Sequence, residues 1–198
     1  KVRVSSPQFG LANATIVQRP GSGGDDEANT AQTVQWMQQF IQADMHSPEV
    51  NQATQEATRG AKGDEAARRI FRWIKSRVTF QEDWLTAMLA GLPNYEEAEV
   101  LIRPIDLLRM KKPAGDCDDF SQLANAMLGN AGVPARLRTI EQNPDQPRMY
   151  SHIYSEAMIG GAWVPFDTSH GDFPGWQAQS IGKDRVWTEQ GREQMNRY

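Results

Sequence analysis

Three residues, in the order thiol, imidazole, carboxylate, have the types that acyl chemistry needs. Cys117 is the chain's single cysteine and lies in "AGDCDDFSQLANAMLGNAG" at 114–132. His152 and Asp167 follow in "SHIYSEAMIGGAWVPFDTS" at 151–169. A carboxylate bonded to one imidazole nitrogen fixes the tautomer and leaves the other nitrogen to hold or take a thiol proton. The setting of Cys117 works against this, because Asp116, Asp118 and Asp119 crowd it and negative charge disfavours a thiolate. Read alone, a lone cysteine is more often a small hydrophobe than a nucleophile. The chemistry therefore depends on the elements that would bring the three together.

The first such element is a helix. Phe120, Leu123, Ala124, Met127, Leu128 and Ala131 recur at helical spacing. The pattern puts Cys117 in the first turn, on the buried face, with Asp116 as N-cap and Asp119 as the reciprocal acid of a capping box. Asp118 is expected to turn outward, and Gly129 or Gly132 to end the helix. At a helix start the macrodipole and free N–H groups favour a thiolate, and the Cys117 N–H can bind an oxyanion.

The second element is a β-hairpin around Gly160-Gly161, joining "RMYSHIYSEAMI" to "AWVPFD". A two-residue loop pairs Ile159 with Ala162, Ala157 with Val164 and Ser155 with Phe166 on a mostly apolar face. His152 and Asp167 then fall on the opposite face as diagonal neighbours, within side-chain reach. One residue more or less in the loop would put them on different faces.

The remaining pattern supplies a frame. "VRV" and "ATIV" read as short strands, and the glycine-rich run at 21–30 as a loop. Asn29 or Thr30 can cap a helix through Val34, Met37, Phe40 and Ile41. Ser47-Pro48 opens a second helix. Asp64 is the expected cap of a third, built on Ala67, Ile70, Phe71 and Ile74. Residues 81–103 read as a short helix and a long loop that forms one wall of a cleft. Pro104 starts a short helix, "ARLRTI" is a strand, and the Gly-, Pro- and Trp-rich tail beyond His170 is irregular. The fold class is α+β: N-terminal helices, then a Cys-bearing helix packed on an antiparallel sheet. The domain reading is a single unit over 1–198, with an extended segment at 1–30, a core at 64–169 and the tail at 170–198.

Composition narrows the partners. The 198 residues are 39% hydrophobic and 23% charged, which fits a globular chain with a real core. A net charge of -4 lacks the basic footprint of a nucleic-acid binder. No apolar run approaches the roughly 20 residues that span a bilayer. No signal peptide is visible and the sequence begins at Lys1, so the native N-terminus is open; a cytoplasmic or phage-associated location is the expectation. His46, His152, His170 and Cys117 show no zinc-type spacing, and neither a metal nor a cofactor is expected. His170, in the loop after the second hairpin strand, is a weaker candidate for the base than His152.

The two quoted runs resemble the transglutaminase-like superfamily, within the broader papain-like cysteine group. The Gly-Asp-Cys-Asp-Asp-Phe form is most similar to bacterial and prophage-encoded members. The resemblance implies Cys117 as nucleophile, His152 as base and Asp167 as orienting acid, in that chain order. It also implies an upstream tryptophan, Trp84, as a second oxyanion donor beside the Cys117 backbone. The implied substrates are protein, peptide or peptidoglycan-derived, and the implied reaction is acyl transfer or hydrolysis. Calcium, used by animal transglutaminases, is not carried over, because no EF-hand-like loop is present. The alternative is a non-catalytic structural or binding module, such as a virion component, on the same fold.

Overall fold

The computed structural model describes residues 2–6, 11–18 and 26–188. Two strands, β1 (Val2–Ser6) and β2 (Leu11–Gln18), precede the helices α1 (Asp26–Asp44), α2 (Pro48–Thr58) and α3 (Gly63–Arg77). Then come β3 (Thr79–Phe80), α4 (Asp83–Leu89), β4 (Ala98–Leu101), α5 (Pro104–Arg109), β5 (Ala114–Gly115) and α6 (Cys117–Asn130). The chain continues through β6 (Ala135–Ile140), β7 (His152–Ile159), β8 (Ala162–Phe166) and β9 (Asp184–Trp187). This is an α+β fold. Its main sheet is antiparallel with order β8-β7-β6-β9. A second sheet has order β1-β2-β4, and β3 pairs with β5 in parallel.

Helix α6 is the centre of the molecule. Leu123, Ala124, Ala126, Met127 and Leu128 are all fully buried, so the helix is enclosed on every side rather than along one stripe. On one flank it meets Ile70, Phe71 and Ile74 of α3 and, beyond them, Ala157, Ile159 and Phe166 of the hairpin. Phe71 and Phe166 lock this layer edge-to-face, with ring centroids 5.1 Å apart. On the other flank Val34, Met37 and Ile41 of α1 pack with Leu101, Leu137 and Ile153, and Cys117 rests against this cluster. Polar groups enter the core in pairs: Asn125 Nδ2 donates to Ser155 Oγ at 2.6 Å, and Ser155 Oγ donates to the Ser121 carbonyl at 3.2 Å.

The caps follow local chemistry with one exception. Ser47 accepts the Val50 N–H at 3.2 Å, and Pro48 takes the first helical position of α2. Asp116 and Asp119 close the capping box at the start of α6. Asp64, expected as the cap of α3, instead accepts the Gly160 N–H at 3.0 Å, tying α3 to the hairpin loop; Lys62 occupies the cap position. The first helix begins at Asp26, earlier than Asn29 or Thr30.

Two strands appear where the sequence predicts loop or irregular tail. β4 lies in the expected wall at 81–103 and pairs with β2. β9 lies in the expected tail and pairs with β6 through Leu137–Trp187 and Ile140–Asp184. Neither has a period of its own; each is made by its partner strand. Among the described residues no helix is long and apolar enough to cross a membrane.

Candidate active site

The hairpin sets the first half of the site. Gly160 and Gly161 have φ of 61° and 79°, the left-handed pair that a tight two-residue hairpin loop requires. The register is Ile159 with Ala162, Ala157 with Val164, and Ser155 with Phe166. His152 opens β7 and Asp167 directly follows β8. Their side chains meet, with His152 Nε2 2.7 Å from Asp167 Oδ2, both almost fully buried.

Asp167 is held from both oxygens. Its Oδ1 accepts the Ser169 N–H at 3.1 Å, the Ser169 hydroxyl at 2.7 Å and the His170 N–H at 3.0 Å. Burial alone would raise its pKa; the His152 bond and charge, with the loop donors, overcome this and hold it at about 2. An ionised carboxylate only accepts hydrogen bonds, which fixes the protons around it. In its neutral form His152 donates Nε2–H to this carboxylate, which leaves Nδ1 bare. The Ser169 hydroxyl gives its one proton to Asp167, so at the 2.9 Å contact with His170 it accepts Nδ1–H. His170 Nε2 is therefore also bare.

His170 stands edge-on to His152, with centroids 4.8 Å apart, and itself meets the Phe80 ring at 5.1 Å. Burial and then the His152 charge lower the pKa of His170. The Asp167 carboxylate bonds the imidazole of His152, while from His170 it takes the backbone N–H.

Cys117 sits at the N-terminus of α6, partly buried. Its helix docks on β7 at Ile153, the residue after His152. Ile153 lies two residues beyond the last β7–β8 pair. The Ser121 hydroxyl bonds both the Cys117 carbonyl, at 2.6 Å, and the Ile153 carbonyl, at 3.3 Å. Burial raises the thiol well above its usual pKa and Asp116 raises it further, while a backbone hydrogen bond from Ile153 pulls it down.

The helix start faces an acidic cluster. Carboxylate oxygens of Asp83, Asp116 and Asp119 lie within 4.8 Å of one another. Asp83 accepts the Val100 N–H at 2.8 Å and Asp119 the Ile102 N–H at 2.7 Å, so both acids also anchor β4 and its exit. Asp118 is not turned outward. It is 3% exposed, and its Oδ1 has no hydrogen-bond partner among the described residues. The reason is that α6 is covered on all sides, so no face is left for an acid to leave by. Burial, and then the Asp116 charge, raise the pKa values of Asp83, Asp118 and Asp119 well above the ordinary range.

Trp84 lies in the first turn of α4 and is 47% exposed, next in sequence to Asp83 of this cluster. Sequence reasoning missed Phe80, Asp83, Ser169 and the placement of His170. The β3–β5 pairing sets Phe80 beside Gly115, just before Cys117, and no local pattern reports that contact.

A model of the transglutaminase-like superfamily core matches residues 49–168. Among solved structures, a candidate cysteine protease from Cytophaga hutchinsonii is 16% identical with a TM-score of 0.47, over 89% of this chain and 61% of that one. A candidate protease from Parabacteroides distasonis is 16% identical with a TM-score of 0.45, over 70% of this chain and 26% of that one. A structure described as a TGase is 11% identical with a TM-score of 0.40, over 77% of this chain and 35% of that one. No curated protein matches the chain. The family match takes in α3, the Cys117 helix and the hairpin with Asp167: the chain belongs to the transglutaminase-like superfamily.

Proposed function

We propose that the protein is a cysteine enzyme performing acyl transfer or hydrolysis at a peptide or carboxamide carbonyl. Cys117 is the nucleophile, His152 the base and Asp167 the orienting acid. The observation that carries this reading is the 2.7 Å His152–Asp167 bond, which commits Nε2 to the carboxylate and so leaves Nδ1 as the free nitrogen of the neutral imidazole. The superfamily match supports the same assignment.

The raised thiol pKa selects the route. A preformed thiolate is disfavoured, so His152 Nδ1 takes the thiol proton as sulfur bonds to the carbonyl carbon. The imidazolium gives that proton to the leaving amine, and the C–N bond breaks to leave a thioester on Cys117. Water or a second amine, deprotonated by His152, attacks the thioester; the C–S bond breaks and the proton returns to sulfur. The Cys117 N–H is one oxyanion donor, and Trp84 is the candidate second. The substrate class is protein, peptide or a peptidoglycan fragment. The Gly-Asp-Cys-Asp-Asp-Phe run supports a bacterial or prophage-encoded source.

The competing reading is a non-catalytic module on the same fold, favoured by the partly buried thiol beside Asp116. Iodoacetamide alkylation of Cys117 separates the two. In the enzyme, His152→Ala slows labelling at neutral pH by roughly 10²-fold, the scale of general-base assistance. Equal rates in the wild type and His152→Ala assign the chain to the module reading. Mass spectrometry of an acyl-enzyme trapped from a peptide or peptidoglycan-fragment library then identifies the substrate.

A further inference from the structure

His152, Asp167 and His170 each offer a ligand-type atom within 4.8 Å of the other two. Sequence spacing hides this group, because the fold and not the motif assembles it. A carboxylate that fixes the far nitrogen of an imidazole is the usual outer partner of a metal-bound histidine. Here one carboxylate does this twice: directly at His152 Nε2, and through the Ser169 hydroxyl at His170 Nδ1. In the neutral imidazoles both remaining nitrogens are bare, and the two rings stand 4.8 Å apart at 87°.

We propose that His152 Nδ1 and His170 Nε2 form a Zn²⁺ site, with Asp167 and Ser169 as its outer support. Imidazole nitrogens select a borderline ion of the zinc type over calcium or magnesium. Ligands around zinc stand roughly 3.3 Å apart at Zn–N lengths of about 2.0–2.1 Å, a spacing that two rings 4.8 Å apart reach by a small side-chain adjustment. His170 is the exposed partner and makes that adjustment, whereas His152 is buried. The remaining coordination positions take water. Lys75, which donates to the Ser169 carbonyl at 3.4 Å, opposes the cation, and the Asp167 charge offsets it.

Occupancy has a consequence that rests on the proposed function. His152 Nδ1 is the nitrogen assigned to the thiol proton, so bound zinc removes the base. The site thus acts as a reversible zinc brake on Cys117.

Calorimetric titration of the full chain with Zn²⁺ alone tests the binding without reference to activity. One saturable site is expected. His170→Ala should weaken it roughly a hundredfold and Ser169→Ala about tenfold, the lower end of what outer partners contribute. His46→Ala and Asp83→Asn should leave it unchanged. Wild-type affinity in His170→Ala, or loss of the site in Asp83→Asn, overturns the proposal. Zn²⁺ should also slow iodoacetamide labelling of Cys117 in the wild type and not in His170→Ala. Binding that leaves labelling unaffected overturns the brake while the site stands. A labelling rate insensitive to His152→Ala in zinc-free protein defeats the enzyme reading without touching the zinc titration.

Discussion

The two sides of the candidate site treat carboxylates in opposite ways. On the hairpin side Asp167 is buried yet ionised, because an imidazole, a hydroxyl and two backbone N–H groups converge on it. On the helix side Asp83, Asp118 and Asp119 are pushed towards the protonated form by burial and by the charge of Asp116. Burial is common to both sides; the difference is the supply of donors. The hairpin side is a completed network that fixes two imidazole tautomers. The helix side is an incomplete one, and the charge that remains on Asp116 raises the pKa of Cys117. Under the proposed function, Cys117 therefore depends on the hairpin side compensating for the helix side.

The most severe break is Asp167→Asn. An amide can present an N–H to His152 Nε2 and invert the tautomer, which protonates Nδ1, the nitrogen that the proposed function assigns to the thiol proton. Loss of this group in an acyl-transfer triad costs on the order of 10⁴-fold. Turnover on the trapped substrate, or the alkylation rate of Cys117, should fall by roughly 10³-fold or more with the fold intact by circular dichroism. A drop below about tenfold would mean that the completed network is structural only.

A smaller break tests the helix side. A Cβ on Gly115 would sit 2.3 Å from Asp119 Oδ2 and 2.7 Å from its Cβ. Asp119 cannot retreat, because its other oxygen holds the Ile102 N–H. Gly115→Ala should cost about 2–4 kcal/mol in urea unfolding, the scale of overpacking plus a lost cap. The hairpin-side bond should survive it, so the His152 imidazole signals in NMR are expected to keep their wild-type positions.

What was legible in the sequence follows the same division. The hairpin register was readable because two glycines fix the loop and a one-residue slip would exchange the faces. The capping box was readable because Asp116 and Asp119 act within one turn. The burial of Asp118 was not, since its position on the helix says nothing about what covers it. The α3 cap failed for a related reason: Asp64 serves a tertiary partner, Gly160, far along the chain. β4 and β9 depend on β2 and β6 for their existence. His170 came to His152 through a turn wound around Asp167 Oδ1, which is geometry that residue spacing does not encode.

The gentlest test sharpens the contrast through pH. Asp118 has a folded pKa raised above its unfolded value, so the acid prefers to fold protonated. Its contribution to stability is full below the unfolded value, about 4, and is lost as pH rises through the folded pKa. The substitution Asp118→Asn introduces an amide with the shape of the protonated acid and an N–H for Asp116. The variant should therefore match the wild type at pH 4 and exceed it by about 1 kcal/mol at pH 8, within the range for an unsatisfied buried group. Denaturant midpoints at the two pH values give the difference. A variant that loses stability equally at both would show that the helix-side acids are held ionised, as Asp167 is, and that the two sides of the site do not differ in kind.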